Sequence, residues 1–389
     1  MDYRDIENQP IPLDEDFFHR LPKVDLHVHL DGSLRLATIL ELAQENRVEL
    51  GAQTMECLRD LIAPGKVHRS LEEYLRGFDI TLKVMQTDGA LYRIAYELAQ
   101  DAAAENIRYM EVRYSPILHT RNKLSLAAIL ESVLEGLRDA ERDFGIRSGV
   151  IVCGIRNISP TVSLRLAELA VAFKNRGVVG FDLAGAEYNN PARDHLDAFT
   201  LILSNNVNVT IHAGEAYGPD SIHQAVHYCG AHRIGHGTRL REDGDLLNYI
   251  NDHRIPLEVC LSSNVQTGTV EDLSRHPFRF YYDLGLRVTL NTDNRLITDT
   301  TMTREYMLAH AHFEFLPRDV LNVVMHGVKS AFMPHEYKRD FVIATKAEVK
   351  AMLVEQAKKA MVPDSAPLTR DSAVSKSPGS SASTREDGR

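Results

Sequence analysis

The sequence predicts an α/β fold: a TIM-like (β/α)8 barrel with extra helices and its active site at the C-terminal mouth of the strands. Three observations point there. Between residues 23 and 293, eight short apolar runs rich in β-branched residues alternate with longer amphipathic stretches. Alternating strands and helices imply parallel strands with right-handed crossovers, and eight such units close a barrel in about 250 residues, which 389 residues hold with room for insertions. Polar residues gather where the runs end, the place where barrel enzymes keep their chemistry. An open doubly wound sheet is the alternative topology, but the nucleotide-binding glycine fingerprints GxGxxG and GxxxxGKS/T are missing.

The strands are expected at 24–30, 109–115, 148–155, 178–183, 207–212, 233–237, 256–261 and 287–291. The first reads Lys-Val-Asp-Leu-His-Val-His-Leu-Asp-Gly-Ser. Side chains alternate along a strand, so His27 and His29 share one face and Val28 takes the other. By itself this pair could equally line a core or a surface. After it, Leu71, Tyr74, Leu75 and Phe78 fall at i, i+3, i+4 and i+7, a helical stripe over 70–79. The fifth run ends in His212-Ala-Gly-Glu215, the sixth carries His236 between two glycines, and the eighth ends in Asp293-Asn294. Residues 346–361 place Val349, Met352, Leu353 and Ala360 at helical spacing, a closing helix. Residues 1–20 form an N-terminal arm, 21–363 the barrel with that helix, and 364–389 a Ser- and Pro-rich tail. With Leu368 and Val374 as its only large aliphatics, the tail cannot offset its chain entropy and is expected to be disordered.

Composition narrows the function. Hydrophobic residues make up 44% and charged residues 25%, as in ordinary globular proteins. With 44 Lys and Arg against 54 Asp and Glu, the net charge is −10, which disfavours phosphate backbones as partners. No apolar stretch of ~18 residues suggests a membrane span, and the acidic N-terminus does not read as a signal peptide. The four cysteines are scattered with no CxxC pair, which fits a reducing cytoplasm.

Imidazoles and carboxylates on four different strand ends are hard to explain structurally, because such groups are costly to bury without partners. One cation at the barrel mouth is the simplest common partner. Three neutral imidazoles and a carboxylate suit zinc, with iron, manganese and cobalt also compatible. Zinc lowers the pKa of water to about 7 and so supplies hydroxide near neutrality. Glu215, in the turn after its strand, would serve as a proton donor if burial raised its pKa.

The ordered set HVHLDGS, FDLAG, HAGE, HRIGHG and NTDN resembles the adenosine deaminase family of metal-dependent hydrolases, over about residues 15–345. The resemblance implies one zinc on His27, His29, His212 and Asp293. It makes Glu215 the donor to purine N1, and His236 the group that orients the attacking water, with Asp293 hydrogen-bonded to it as well. Gly185 would offer its N–H to N3. Asp31 would bind the ribose 5′-hydroxyl; adenine-specific relatives usually show a glutamate there, so Asp31 favours a nucleoside. The 70–79 stripe would be an apolar lid. One departure stands out: where many relatives have a second aspartate facing N7, this chain has Asn294, whose amide already carries donors. The implied reaction is hydrolysis of adenosine and 2′-deoxyadenosine to the inosines plus ammonia. A modified adenine nucleoside such as aminodeoxyfutalosine, or adenine, is the alternative substrate, and an inactive nucleoside-binding relative the alternative class. The remaining histidines are expected to have surface or core roles.

Overall fold

In the computed structural model, which describes residues 1–68 and 70–361, eight parallel strands follow one another around a barrel in sequence order. They are β1 (Lys23–His29), β2 (Ile107–Tyr114), β3 (Arg147–Ile155), β4 (Val178–Ala184), β5 (Asn208–Ala213), β6 (Arg233–His236), β7 (Leu257–Val259) and β8 (Val288–Leu290). Each expected strand is present with its ends moved by a few residues. β7 is the most shortened, because the chain turns at Cys260 into the helix Leu261–Gln266. The tail over 364–389 lies outside the described residues.

The barrel closes just past β8. Val28 bridges Asp293 in parallel, the His29 N–H donates to the Asp293 carbonyl at 2.7 Å, and the Asp293 N–H donates to the His27 carbonyl at 2.8 Å. The Asn291 carboxamide oxygen accepts from the Leu26 N–H at 3.1 Å, and the Thr292 hydroxyl bonds the buried Asp25 carboxylate. Residues 291–293 thus do the work of a longer eighth strand.

The helices form where stripe and caps agree. Leu126–Phe144 starts at Ser125, whose side chain accepts from the Ala128 N–H, and ends at Gly145 in the left-handed region. It buries Ile129, Leu130, Val133, Leu134, Leu137 and Ala140. Its Gly136 meets the helix Asp88–Ala104 so closely that a Cβ would stand 2.3 Å from the Tyr92 carbonyl oxygen. The expected 70–79 helix is two pieces, Leu71–Leu75 and Phe78–Val84, parted at Gly77. The closing helix starts earlier than its stripe suggested, at His335, and runs to Met361. In the N-terminal arm, Tyr3, Ile6, Phe17 and Phe18 are buried against the barrel. No helix among the described residues is long and apolar enough to cross a membrane.

Candidate active site

Alternation along β1 puts His27 and His29 on the inner side, as expected, and both Nε2 atoms lie 3.4 Å from Asp293 Oδ1. β5 delivers His212, whose Nε2 is 3.1 Å from that of His29. The ligand atoms of these four side chains all lie within 4.8 Å of one another. Asp293 holds this position with φ at +60°, a strained value for a non-glycine residue, and its Oδ2 accepts from the Ser263 hydroxyl at 2.6 Å. Gly235 on β6 makes room, since a Cβ there would stand 3.1 Å from His27 Cε1 and 3.2 Å from His212 Cα.

The donor set fits a cation. His27 Nε2 is fully buried with no hydrogen-bond partner among the described residues, an expensive condition unless something positive sits in front of it. Behind the rings, His27 Nδ1 meets Glu258 Oε2 at 2.9 Å and His212 Nδ1 meets Asp182 Oδ2 at 2.9 Å. A carboxylate on Nδ1 fixes the tautomer, leaving the Nε2 lone pair aimed forward. Those carboxylates are wired in turn: Arg113 spans Asp182 (3.0 Å) and Glu258 (2.8 Å), and Arg233 joins Glu258 (2.5 Å) to Glu111. Burial would push the Glu258 carboxyl up, but the Arg113 and Arg233 guanidiniums hold it well below the usual carboxylate range. A second grouping, His236 with Cys260 and Asp293, is a poorer cation site, because burial pushes the Cys260 thiol up and keeps it protonated.

In front of these groups lies a cavity of about 320 Å³. All the residues singled out from the sequence line it except His27, which sits behind. Glu215 follows β5, with its Oε2 3.5 Å from His236 Nε2. The carboxylate of Glu187 anchors that loop by accepting from the backbone N–H groups of Gly214, Glu215, Ala216 and Tyr217 at 2.6–3.1 Å. Gly185 follows β4 at φ +92°, a conformation that suits glycine. The Asp31 carboxyl is buried and pushed up to about 7 by its burial and, further, by the Asp293 charge. Leu71, Tyr74, Leu75 and Phe78 form one wall across both pieces of the split helix. Asn294 donates through Nδ2 to Tyr74 Oη at 2.8 Å, tying that wall to the barrel, and its Oδ1 lies where a Cβ on Gly32 would come within 1.9 Å.

Comparison with known proteins places the chain. The adenosine deaminase family model matches residues 22–346. The chain belongs to the adenosine deaminase family. An adenosine deaminase of Mycobacterium leprae is 42% identical over 348 residues, covering 85% of this chain and 95% of its own length. One from Mycobacteroides abscessus is 44% identical over 332 residues, 81% of this chain and 91% of its own length. A Dictyostelium discoideum relative is 38% identical over 326 residues, and the chain spans only 42% of that longer protein. Among solved structures, adenine deaminase from Arthrobacter aurescens superposes with a TM-score of 0.78 at 25% identity, over 87% of this chain and 99% of that one. The N6-methyl-AMP deaminase of Arabidopsis thaliana does so at 0.76 and 26%, over 86% and 98%. The family is metal-dependent, and the four converging side chains are its candidate metal site in this chain.

Sequence reasoning gave no chemical role to Asp182, Glu258, Glu187, Asn264 or His276, all buried behind the candidate reacting groups. A charged residue inside an apolar strand, as in Phe-Asp-Leu and Leu-Glu-Val, was the available signal for the first two. Glu187 and His276 carried no such local mark. His119 and His195 do have the structural roles expected, bonded to the Met85 carbonyl and to the Ser163 hydroxyl.

Proposed function

We propose that this chain hydrolyses adenosine and 2′-deoxyadenosine to inosine and 2′-deoxyinosine, releasing ammonia, with zinc held by His27, His29, His212 and Asp293. The observation that carries the reading is the convergence of those four donors on a cavity that also presents Glu215, His236, Gly185, Asp31 and Asn294. Bound there, the ion supplies Lewis acidity that makes water a competent nucleophile near neutral pH.

The protein's own groups do the rest. Glu215 gives a proton to N1, which makes C6 electrophilic, and of the two protons the attacking water sheds, one restores Glu215 and the other goes to the amine, which departs as ammonia. His236 and Asp293 hold the attacking water on one face of the ring. The Gly185 N–H meets N3, and Asn294, with one amide hydrogen spent on Tyr74, offers the other to N7. Asp31, with its pKa near neutrality, pairs with the 5′-hydroxyl. The wall of Leu71, Tyr74, Leu75 and Phe78 keeps bulk water out, which strengthens every electrostatic contact inside.

Charge selects a nucleoside over a nucleotide. No Lys or Arg among the described residues lines the cavity, whereas Asp31 and Asp79 do, so a 5′-phosphate would meet carboxylates. The enzyme works in the cytoplasm, in keeping with four unpaired cysteines, three of them buried. The test is the ultraviolet change from adenosine to inosine on metal-loaded protein, beside Glu215→Gln. The variant should keep its zinc and lose roughly 10²–10⁴ in kcat. Zinc-loaded wild type that leaves adenosine and 2′-deoxyadenosine untouched would refute the proposal.

A further inference from the structure

His236 faces the cavity through Nε2, and two opposite jobs are open to an imidazole there: accepting the proton of the attacking water, or donating a hydrogen bond to it. A run of hydrogen bonds behind the ring decides between them. Its far end is the backbone N–H of Phe278, 3.1 Å from His276 Nδ1. A backbone N–H only donates, so Nδ1 accepts and carries no proton. Neutral His276 then has its proton on Nε2, which donates to Asn264 Oδ1 at 3.2 Å. That contact orients the carboxamide and turns its Nδ2 toward His236 Nδ1, at 3.0 Å. Nδ2 also only donates, so His236 Nδ1 must be the acceptor and the ring's proton must sit on Nε2, facing the cavity. The ambiguity that usually attends amide and imidazole orientation is removed here because the chain of bonds begins at a peptide group of fixed polarity.

We infer that His276 and Asn264 are positioning residues: they lock His236 as an Nε2–H donor, the form that the water-orienting role implied by the family requires. All three side chains are buried, with His276 at 5%, Asn264 at 0% and His236 at 1% exposure, so no solvent competes for these bonds. Burial, with the Arg241 charge adding to it, pushes His276 down to about 3 and keeps that ring neutral. A proton on His236 Nδ1 would set two donors against each other, so the same bonds also disfavour an imidazolium.

The inference rests on the deaminase reading for its consequence but not for its test. Side-chain ¹⁵N spectra of zinc-loaded, histidine-labelled protein, with the His236 signal assigned by His236→Gln, report the tautomer directly. The expected spectrum has a protonated Nε2 and a bare Nδ1. In Asn264→Asp, an acceptor of the same size faces Nδ1, so the proton should move to that nitrogen. The kcat on adenosine should then fall roughly 10²–10³-fold, as when one donor to a developing oxyanion is lost, with a smaller change in KM. His276→Phe should loosen the amide and give a mixed signature. A bare Nε2 in the wild type overturns the inference, and so does an Asn264→Asp protein with unchanged His236 signals and kcat. Failure of the wild type to turn over adenosine would sink the substrate proposal while leaving the spectra to judge the tautomer.

Discussion

Asp182→Asn measures what the carboxylates behind the candidate metal ligands contribute. Asp182 Oδ1 accepts from the Leu183 N–H at 2.7 Å and lies 3.2 Å from His212 Nδ1, while Oδ2 accepts from Arg113 at 3.0 Å and stands 2.9 Å from the same His212 nitrogen. An asparagine keeps one oxygen, so in either orientation its NH2 points at a donor. With the oxygen toward Arg113, the Leu183 N–H is orphaned; with it toward Leu183, Arg113 loses its acceptor and the amide NH2 crowds His212 Nδ1 at the Oδ2 position. The charge goes too, leaving Arg113 with Glu258 alone. Breaking a buried pair costs about 3–5 kcal/mol, and the surviving Glu258 contact puts the expected loss of stability near the lower end. Loosening His212 should weaken metal affinity roughly 10- to 100-fold, about 1.4–2.7 kcal/mol. The assays are a zinc competition against a chromophoric chelator and a urea melt of the zinc-loaded protein. A folded Asp182→Asn that binds zinc within about threefold of wild type would refute the idea that this carboxylate orients His212.

Three further outcomes are expected. Asn294→Leu should lose roughly 1–3 kcal/mol of transition-state binding by leaving purine N7 unpaired, read as kcat/KM on adenosine; unchanged efficiency would sink the N7 contact. Gly235→Ala should lower zinc affinity with the fold retained, because its Cβ would press on His27 and His212; stoichiometric zinc at wild-type affinity would count against the close packing. Burial pushes the Glu305 carboxyl from an ordinary 4.5 up to about 7. The native state therefore binds the extra proton between those values, and its stabilising effect is full below pH 4.5 and lost as pH rises through about 7. Glu305→Gln should flatten that fall, on the order of 3 kcal/mol, in melts compared at about pH 5 and pH 8; a wild type equally stable at both would contradict it.

The barrel was legible because its signal is periodic and local: each apolar run and each helical stripe reports its own burial. The candidate site residues were legible for a related reason, since His27, His29, His212, Glu215, His236 and Asp293 interrupt or directly follow apolar runs where polarity is expensive. The supporting groups were harder to see. His27 and Glu258 are 231 residues apart, and their contact depends on a barrel that local pattern implies but does not register. His276 lies on a connecting segment between Asp272-capped and Pro277-led turns, where its neighbours say nothing of Asn264. The stripe over 70–79 does line one wall, but it is two helices and not one, because Gly77 interrupts a helical pattern that a glycine need not break.

The seam at which β1 meets residues 291–293 lies directly beneath the four converging donors. During synthesis, the two histidines of the first strand emerge from the ribosome long before their aspartate partner, and the ion cannot be gripped until residue 293 is free. Once it is, one ion held at this candidate site would cross-link the beginning and end of the ring much as a clasp closes a bracelet. Stripping the metal should therefore loosen the ring at this one joint before its other strand pairs, an opening that amide exchange at His29 and Asp293 would detect first.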